Sequence, residues 1–194
     1  MRAARKPALT ASALLFSLAI PVAGYAYLGA LVGFLFLIGY LGGFALWVLV
    51  PATPSFAAIR LPYWATLAAF LFLHKPEENA TRFFEVLSDE ITGVPVPDLT
   101  PLMIVSLLIV PVGAWLVAPF LIRRGSGLGY YLVWTLFASM GILELAHFVF
   151  PVLTGRPYGY FPGMASVVVL APLAWWGMWR LARGGRARGA PGRT

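Results

Sequence analysis

Cysteine is absent from this chain of 194 residues, and charged side chains are scarce. Without a thiol there is no disulfide, no cysteine nucleophile and no thiolate ligand for a metal. Only 11% of the residues are charged and 60% are hydrophobic, whereas soluble domains have about 25% charged residues. This composition indicates an integral membrane protein, and we expect an all-α, polytopic bundle of transmembrane helices.

Basic residues outnumber acidic ones, which gives a net charge of +7. They form short blocks between apolar runs, and such blocks set membrane topology and contact lipid headgroups. We therefore expect membrane lipids as partners and no nucleic acid.

The apolar runs predict about six transmembrane helices, because about 20 apolar residues are needed to cross the hydrocarbon layer. Their approximate ranges are 8–27, 28–50, 61–74, 100–122, 129–152 and 163–181. The third range is too short alone, so we expect its helix to continue through or beyond Pro76. Residues 1–182 would form a single transmembrane domain, and residues 183–194 a disordered basic tail.

The first 26 residues allow a second interpretation, because they have the basic start, apolar middle and small residues of a cleavable signal peptide. Cleavage would leave five spans. We favour retention, since the next run is also apolar and carries the glycine pairs Gly29/Gly33 and Gly39/Gly43. Such pairs suit close helix packing in lipid and offer a possible face for an oligomer.

The basic residues also predict orientation. On the division above, eleven of the fourteen fall on one side of the membrane, which the positive-inside rule makes cytoplasmic. Both termini are then predicted inside, in a bacterial-type inner membrane. The 75–99 segment and Arg156 are predicted to be extracytoplasmic.

Acidic residues number only seven, and five of them lie within residues 77–90. Pro76 suits the first turn of a helix, and apolar residues recur at helical spacing over 76–92. This pattern predicts an amphipathic helix on the outer membrane surface. Its later acids are most simply a solvated face: Glu85, Asp89 and Glu90.

Both histidines of the chain have glutamates at helical spacing. His74, Glu77 and Glu78 share one face if their helix is continuous, and Glu144 precedes His147 by three residues. Glu144 is the only acid inside an apolar span, where a carboxylate costs several kcal/mol unless it is paired, protonated or bound to a metal. At about 1.5 Å per residue, His74 and Glu144 both lie about 21–22 Å above the cytoplasmic edge. We expect their side chains to approach within about 4–6 Å.

Two histidines and two or three carboxylates at one depth are typical of a metal site. We predict His74, Glu144 and His147 as ligands of a divalent metal, zinc rather than iron, because di-iron sites usually have more carboxylates. Glu77 or Glu78 would be the catalytic base. The alternative is structural, with Glu144 protonated or hydrogen-bonded to a histidine.

The motif HKPEE at 74–78 resembles the HXXEE-motif family, whose members are small integral membrane proteins of unknown biochemical function. His147 followed by YGYFPG at 158–163 is similar to that family's second region, a histidine followed by an aromatic residue and Pro-Gly. The resemblance would cover about residues 61–180. It implies that the two histidine regions form one site, and it names no reaction.

Three functions remain compatible with these residues. The first is a metal-dependent enzyme, such as a hydrolase, acting at the outer leaflet on a lipid or isoprenoid-like substrate whose headgroup Arg156 could receive. The second is a noncatalytic membrane partner or assembly factor that uses the glycine face. The third is a proton or cation transporter, which the near absence of ionisable residues in the cytoplasmic half disfavours. We expect the enzyme.

Overall fold

The computed structural model describes residues 7–184, and within that range every regular element is helical, which confirms the predicted all-α class. The helices are α1 (Pro7–Leu49), α2 (Phe56–Ala80), α3 (Phe83–Leu87), α4 (Pro101–Arg123), α5 (Gly127–Leu153) and α6 (Met164–Arg183). All except α3 are long and apolar enough to cross a membrane. Most of the predicted basic tail, 183–194, and the basic start of the chain lie outside the described residues.

α1 reverses direction at Gly29, where the backbone leaves the helical region (φ 85°, ψ −179°) for a conformation that glycine adopts readily. The two arms run back along each other, because the Ser17 hydroxyl donates to the Tyr40 carbonyl at 3.2 Å. In a straight helix these residues would be about 34 Å apart. The arms coincide with the predicted ranges 8–27 and 28–50.

α2 continues through Pro76, as predicted, because the helix widens just before the proline. Residues Phe70–His74 form a π-helical turn, after which the Lys75 N–H donates to the Phe70 carbonyl. Proline has no N–H to donate, and its ring crowds the carbonyl four residues earlier. The wider turn makes room for that ring. Turns of this kind are frequent at functional sites.

The amphipathic helix predicted over 76–92 is interrupted at Arg82, which takes a left-handed conformation (φ 51°). The part before Arg82 is the end of α2, and the part after it is α3 with a π-helical turn over Ser88–Thr92. The two faces are as expected, since Phe83 is buried and Glu85 is exposed.

α5 is the central helix of the bundle. Every residue from Gly129 to Gly141 is buried, and α5 contacts α1, α2, α4 and α6. Gly39 and Gly43 of α1 lie against Ser139 and Thr135 of α5, where an added Cβ would meet side-chain and backbone atoms. Both glycines therefore bring α1 and α5 into close contact within the chain.

Candidate metal centre

Four ionisable side chains from α2 and α5 meet inside the bundle. His74 and Glu78 come from α2, Glu144 and His147 from α5, and one ligand atom of each lies within 4.8 Å of the others. His74 Nε2 is 3.2 Å from Glu144 Oε2, so the predicted approach of these residues is confirmed. This group could hold a metal ion.

Local irregularities in both helices shape the group. His74 is the last residue of the π-helical turn in α2, and Glu78 follows one helical turn later. In α5 the helix tightens after Gly141 into a 3₁₀ turn that contains Glu144, and His147 follows as the helix resumes. The tightened turn leaves the Gly141 carbonyl to accept the Trp175 indole N–H at 2.6 Å. His74 and Glu144 thus lie in turns of non-standard geometry, and Glu78 and His147 lie in the regular α-helix that follows each turn.

The orientation of His147 is set by the segment before α6. Its Nδ1 lies 2.6 Å from the Pro162 carbonyl, and a carbonyl only accepts, so Nδ1 carries the hydrogen. In the neutral ring, Nε2 then has a lone pair, and it lies 3.2 Å from Glu144 Oε2. The next residue, Gly163, has φ 90°, and the imidazole of His147 fills the space where a Cβ would stand. Glycine is therefore required for this contact.

His74 has the same tautomer, fixed through Ser166. The Ser166 hydroxyl donates to the Gly163 carbonyl at 3.1 Å, which leaves its oxygen to accept from His74 Nδ1 at 2.9 Å. His74 Nε2 therefore also has a lone pair directed into the group. This buried nitrogen has no hydrogen-bond partner, although Glu144 Oε2 is 3.2 Å away.

Two lone-pair nitrogens thus face two carboxylate oxygens. His74 Nε2 and His147 Nε2 lie 3.4 and 3.5 Å from Glu78 Oε1, and both lie 3.2 Å from Glu144 Oε2. Tetrahedral zinc, with bonds of about 2.0–2.2 Å, separates its ligand atoms by about 3.3–3.6 Å. The four observed separations are close to that range. Electron-rich atoms at such distances need a cation among them, either an ion or shared protons.

Glu77 lies next to Glu78 in the chain, but its carboxylate points to α6. It accepts the backbone N–H groups of Ala165 at 3.0 Å and Ser166 at 2.7 Å, and the Tyr160 hydroxyl at 2.6 Å. A carboxylate suits this place, because the first N–H groups of a helix have no partner within it. The catalytic role predicted for Glu77 or Glu78 stays a prediction, and only Glu78 lies among the four side chains.

Arg156 is an exposed side chain in the segment between α5 and α6. Its guanidinium lies 2.9 Å from Glu90 Oε1, and 70% of the side chain is accessible. Its predicted role in binding a substrate headgroup stays a prediction.

Several groups that shape the site are not predicted from the sequence as site residues. Ser166 and the Pro162 carbonyl fix the two tautomers, and the Lys75 ammonium pairs with Glu78 Oε2. A hydroxyl three residues after a Pro-Gly pair, on an otherwise apolar helix, is a signal that could have identified Ser166. The Pro162 carbonyl leaves no such signal, since every residue has one.

Comparisons with protein families, with curated proteins and with solved structures gave no match to this chain.

Proposed function

We propose that this protein is a membrane-embedded, metal-dependent enzyme that acts on a lipid or isoprenoid-like substrate. His74, Glu144 and His147 are the proposed ligands of one divalent ion, and Glu78 is the proposed catalytic base. The observation that supports the ion is the set of separations between the two Nε2 atoms and the two carboxylate oxygens, 3.2–3.5 Å.

The hydrogen bonds behind the two imidazoles add support. Histidines that bind metals usually donate their second N–H to a carbonyl, carboxylate or water, which fixes the tautomer and raises ligand basicity. His147 donates to the Pro162 carbonyl, and His74 donates to the Ser166 hydroxyl. If the two histidines had only a packing role, neither Nε2 lone pair would need to face the other three side chains.

The proposed roles of the two carboxylates, Glu144 as ligand and Glu78 as base, follow from their surroundings. Glu144 Oε2 lies 3.2 Å from both Nε2 atoms, as expected if all three atoms bind one ion. Glu78 Oε1 lies 3.4 and 3.5 Å from the same two atoms, which are also distances between ligands of one ion, but its second oxygen is paired with Lys75. Catalytic zinc keeps three protein ligands and one open position, so Glu78 suits the base better than a fourth ligand. The ion would supply Lewis acidity, and zinc fits this ligand set better than iron.

In the membrane we propose six crossings, with the turn at Gly29 separating the first two. Each arm of α1 has about 20 residues, which span the roughly 30 Å of hydrocarbon. Both termini would be cytoplasmic, α3 would lie along the outer surface, and the metal group would lie in the outer leaflet. This proposal includes membership of the HXXEE-motif family, which the chain resembles.

The glycine packing favours the enzyme over the assembly partner. Of the glycines predicted to form a face for another chain, Gly39 and Gly43 are covered by α5, and Gly33 lies against Tyr25 of the other arm of α1.

Two measurements test the proposed function. Protein purified in detergent without chelator should contain about one zinc or iron per chain by elemental analysis. Lipid profiles of cells that make the wild type should differ from those of cells that make Glu78→Gln at equal abundance. A protein that stays metal-free after incubation with zinc, or identical lipid profiles, would contradict the metal or the enzyme respectively.

A further inference from the structure

A mostly apolar cavity of about 480 Å³ adjoins the four-residue group. Pockets for small-molecule ligands have volumes of about 300–1,000 Å³, so a ligand of that size fits. Glu78, Glu144 and His147 line the cavity, whereas His74 is not among its lining residues. A ligand in the cavity would therefore touch the group on one side.

The outer side of the cavity is apolar and open along α4. Leu99, Ile104 and Leu108 line the cavity and are also 71%, 37% and 38% exposed. No residue of the π-helical turn Val105–Ile109 is buried. An opening rimmed by leucine and isoleucine favours lipid over water, so a long apolar chain can enter from the bilayer.

Two polar side chains at the end of α2 also line the cavity, Lys75 and Asn79. The Lys75 ammonium pairs with Glu78 Oε2 and lies 5.9 Å from the ring centres of both Phe70 and Phe84. Lys75 therefore lies between two aromatic rings and the four-residue group, which is called the metal group below.

The charges of the filled site do not balance. A divalent ion cancels the two carboxylates of Glu78 and Glu144, and the lone pairs described above are those of neutral imidazoles. The positive charge of Lys75, whose side chain is 36% exposed, is then in excess at the edge of the cavity and would attract an anion. Because Glu77 is turned to α6, it does not supply the missing anion.

We infer that the cavity binds a long-chain amphiphile with an anionic headgroup, a carboxylate or a phosphate. The headgroup lies at the end of the cavity that Lys75, Glu144 and His147 line, and the chain extends past Ile104 toward the lipid. This inference rests on the proposed function, because the excess charge arises only when the ion is bound.

The experiment uses zinc-loaded protein in detergent and cis-parinaric acid, a fluorescent fatty acid, as the probe. Energy transfer from tryptophan to the probe reports binding. Excess oleic acid shows how much of this signal comes from probe that can be displaced. Oleic acid, oleyl phosphate and oleyl alcohol then compete, since they share one chain and differ in the headgroup. At least one of the two anions should displace the probe about tenfold better than the alcohol, as expected for a charge-assisted contact. The better anion identifies the headgroup.

Variants locate the two ends of the ligand. Lys75→Gln should weaken binding of the better anion about tenfold and leave the alcohol unchanged, and Lys75→Arg should restore it. Arg82→Gln, which removes an exposed cation from the same segment, should have no effect. Ile104→Trp should narrow the opening and weaken all three competitors, unlike Leu102→Trp at an exposed position that does not line the cavity.

Metal content separates the two proposals. Each variant should keep the wild-type zinc content, and with zinc bound, equal displacement by acid, phosphate and alcohol would overturn the inference alone. Loss of probe binding in Leu102→Trp to the same extent as in Ile104→Trp would also overturn it. Failure of the wild type to bind zinc would overturn the proposed function, and the inference with it.

Discussion

The carboxylate of Glu77 accepts the backbone N–H of Ser166 at 2.7 Å, joining residues that are 89 positions apart. Ser166 in turn holds His74 through its hydroxyl. The first glutamate of the HKPEE motif therefore fixes the start of α6, and through it the orientation of the motif's own histidine. The two adjacent glutamates thus have different surroundings, since only Glu78 lies among the four side chains.

Substitution of Glu77 tests this separation. In Glu77→Gln the amide NH₂ would face a backbone N–H or the Tyr160 hydroxyl where a carboxylate oxygen accepts now. We expect the free energy of unfolding in detergent to fall by about 1.5–3 kcal/mol, the range for hydrogen bonds to charged groups. Thermal unfolding measures this change in stability. Glu85→Gln, at an exposed position, is the control. Unchanged stability with complete loss of metal would mean that Glu77 is a ligand instead.

Substitution of Glu144 tests the ligand set. Glu144→Gln keeps shape and hydrogen bonding but removes the anion, so zinc affinity should fall by more than the 10–100-fold that is typical for the hydrogen-bond partners of ligands. His147→Ala should act in the same way. Competition with a chelator gives the affinities, and thermal unfolding reports whether the fold survives. If both variants bind zinc like the wild type, the four side chains hold protons and not a metal.

Gly163 tests the positioning of His147. In Gly163→Ala the new methyl group would occupy the space of the imidazole, so the ring must turn and zinc affinity should fall about 10–100-fold. Gly155→Ala is the matched control, since Gly155 also has positive φ (69°) but nothing within 4 Å of the added Cβ. Equal losses of affinity in both variants would assign the effect to backbone strain rather than to His147.

Single cysteines test the topology, and the chain has no native cysteine to interfere. A cysteine at Ser88 should react with a membrane-impermeant maleimide in intact cells, and one at Ser126 only after lysis, because basic loops stay inside. Labelling is measured on the purified variants. Reaction at 126 and protection at 88 would invert the proposed orientation.

The helical rise and the lengths of the hydrophobic runs were sufficient to predict that His74 and Glu144 lie close together. Both depend on backbone geometry that varies little, 1.5 Å per residue, so two independent counts along α2 and α5 reached the same depth. The directions of Glu77 and Glu78 could not be predicted in this way. They depend on the π-helical turn before Pro76 and on where α6 begins, and neither leaves a periodic pattern in the sequence.

The break at Arg82 also escaped prediction. The apolar spacing around Phe83 and Phe84 continues the helical period through the break, so the pattern predicted one helix over 76–92 where there are two segments. Left-handed backbone at an arginine is uncommon and has no signature in composition.

Both imidazoles are held from one short segment, Pro162 to Ser166, at the start of α6. An ion bound by His74 and His147 therefore gains from the docking of α6, and thermodynamic reciprocity requires that docking gain equally from the ion. Amide hydrogens at the start of α6 should exchange more slowly with solvent when zinc is present, although none of those amides belongs to a ligand. Binding of an ion and docking of α6 would then be coupled equilibria, so that a measurement of either one reports on the other.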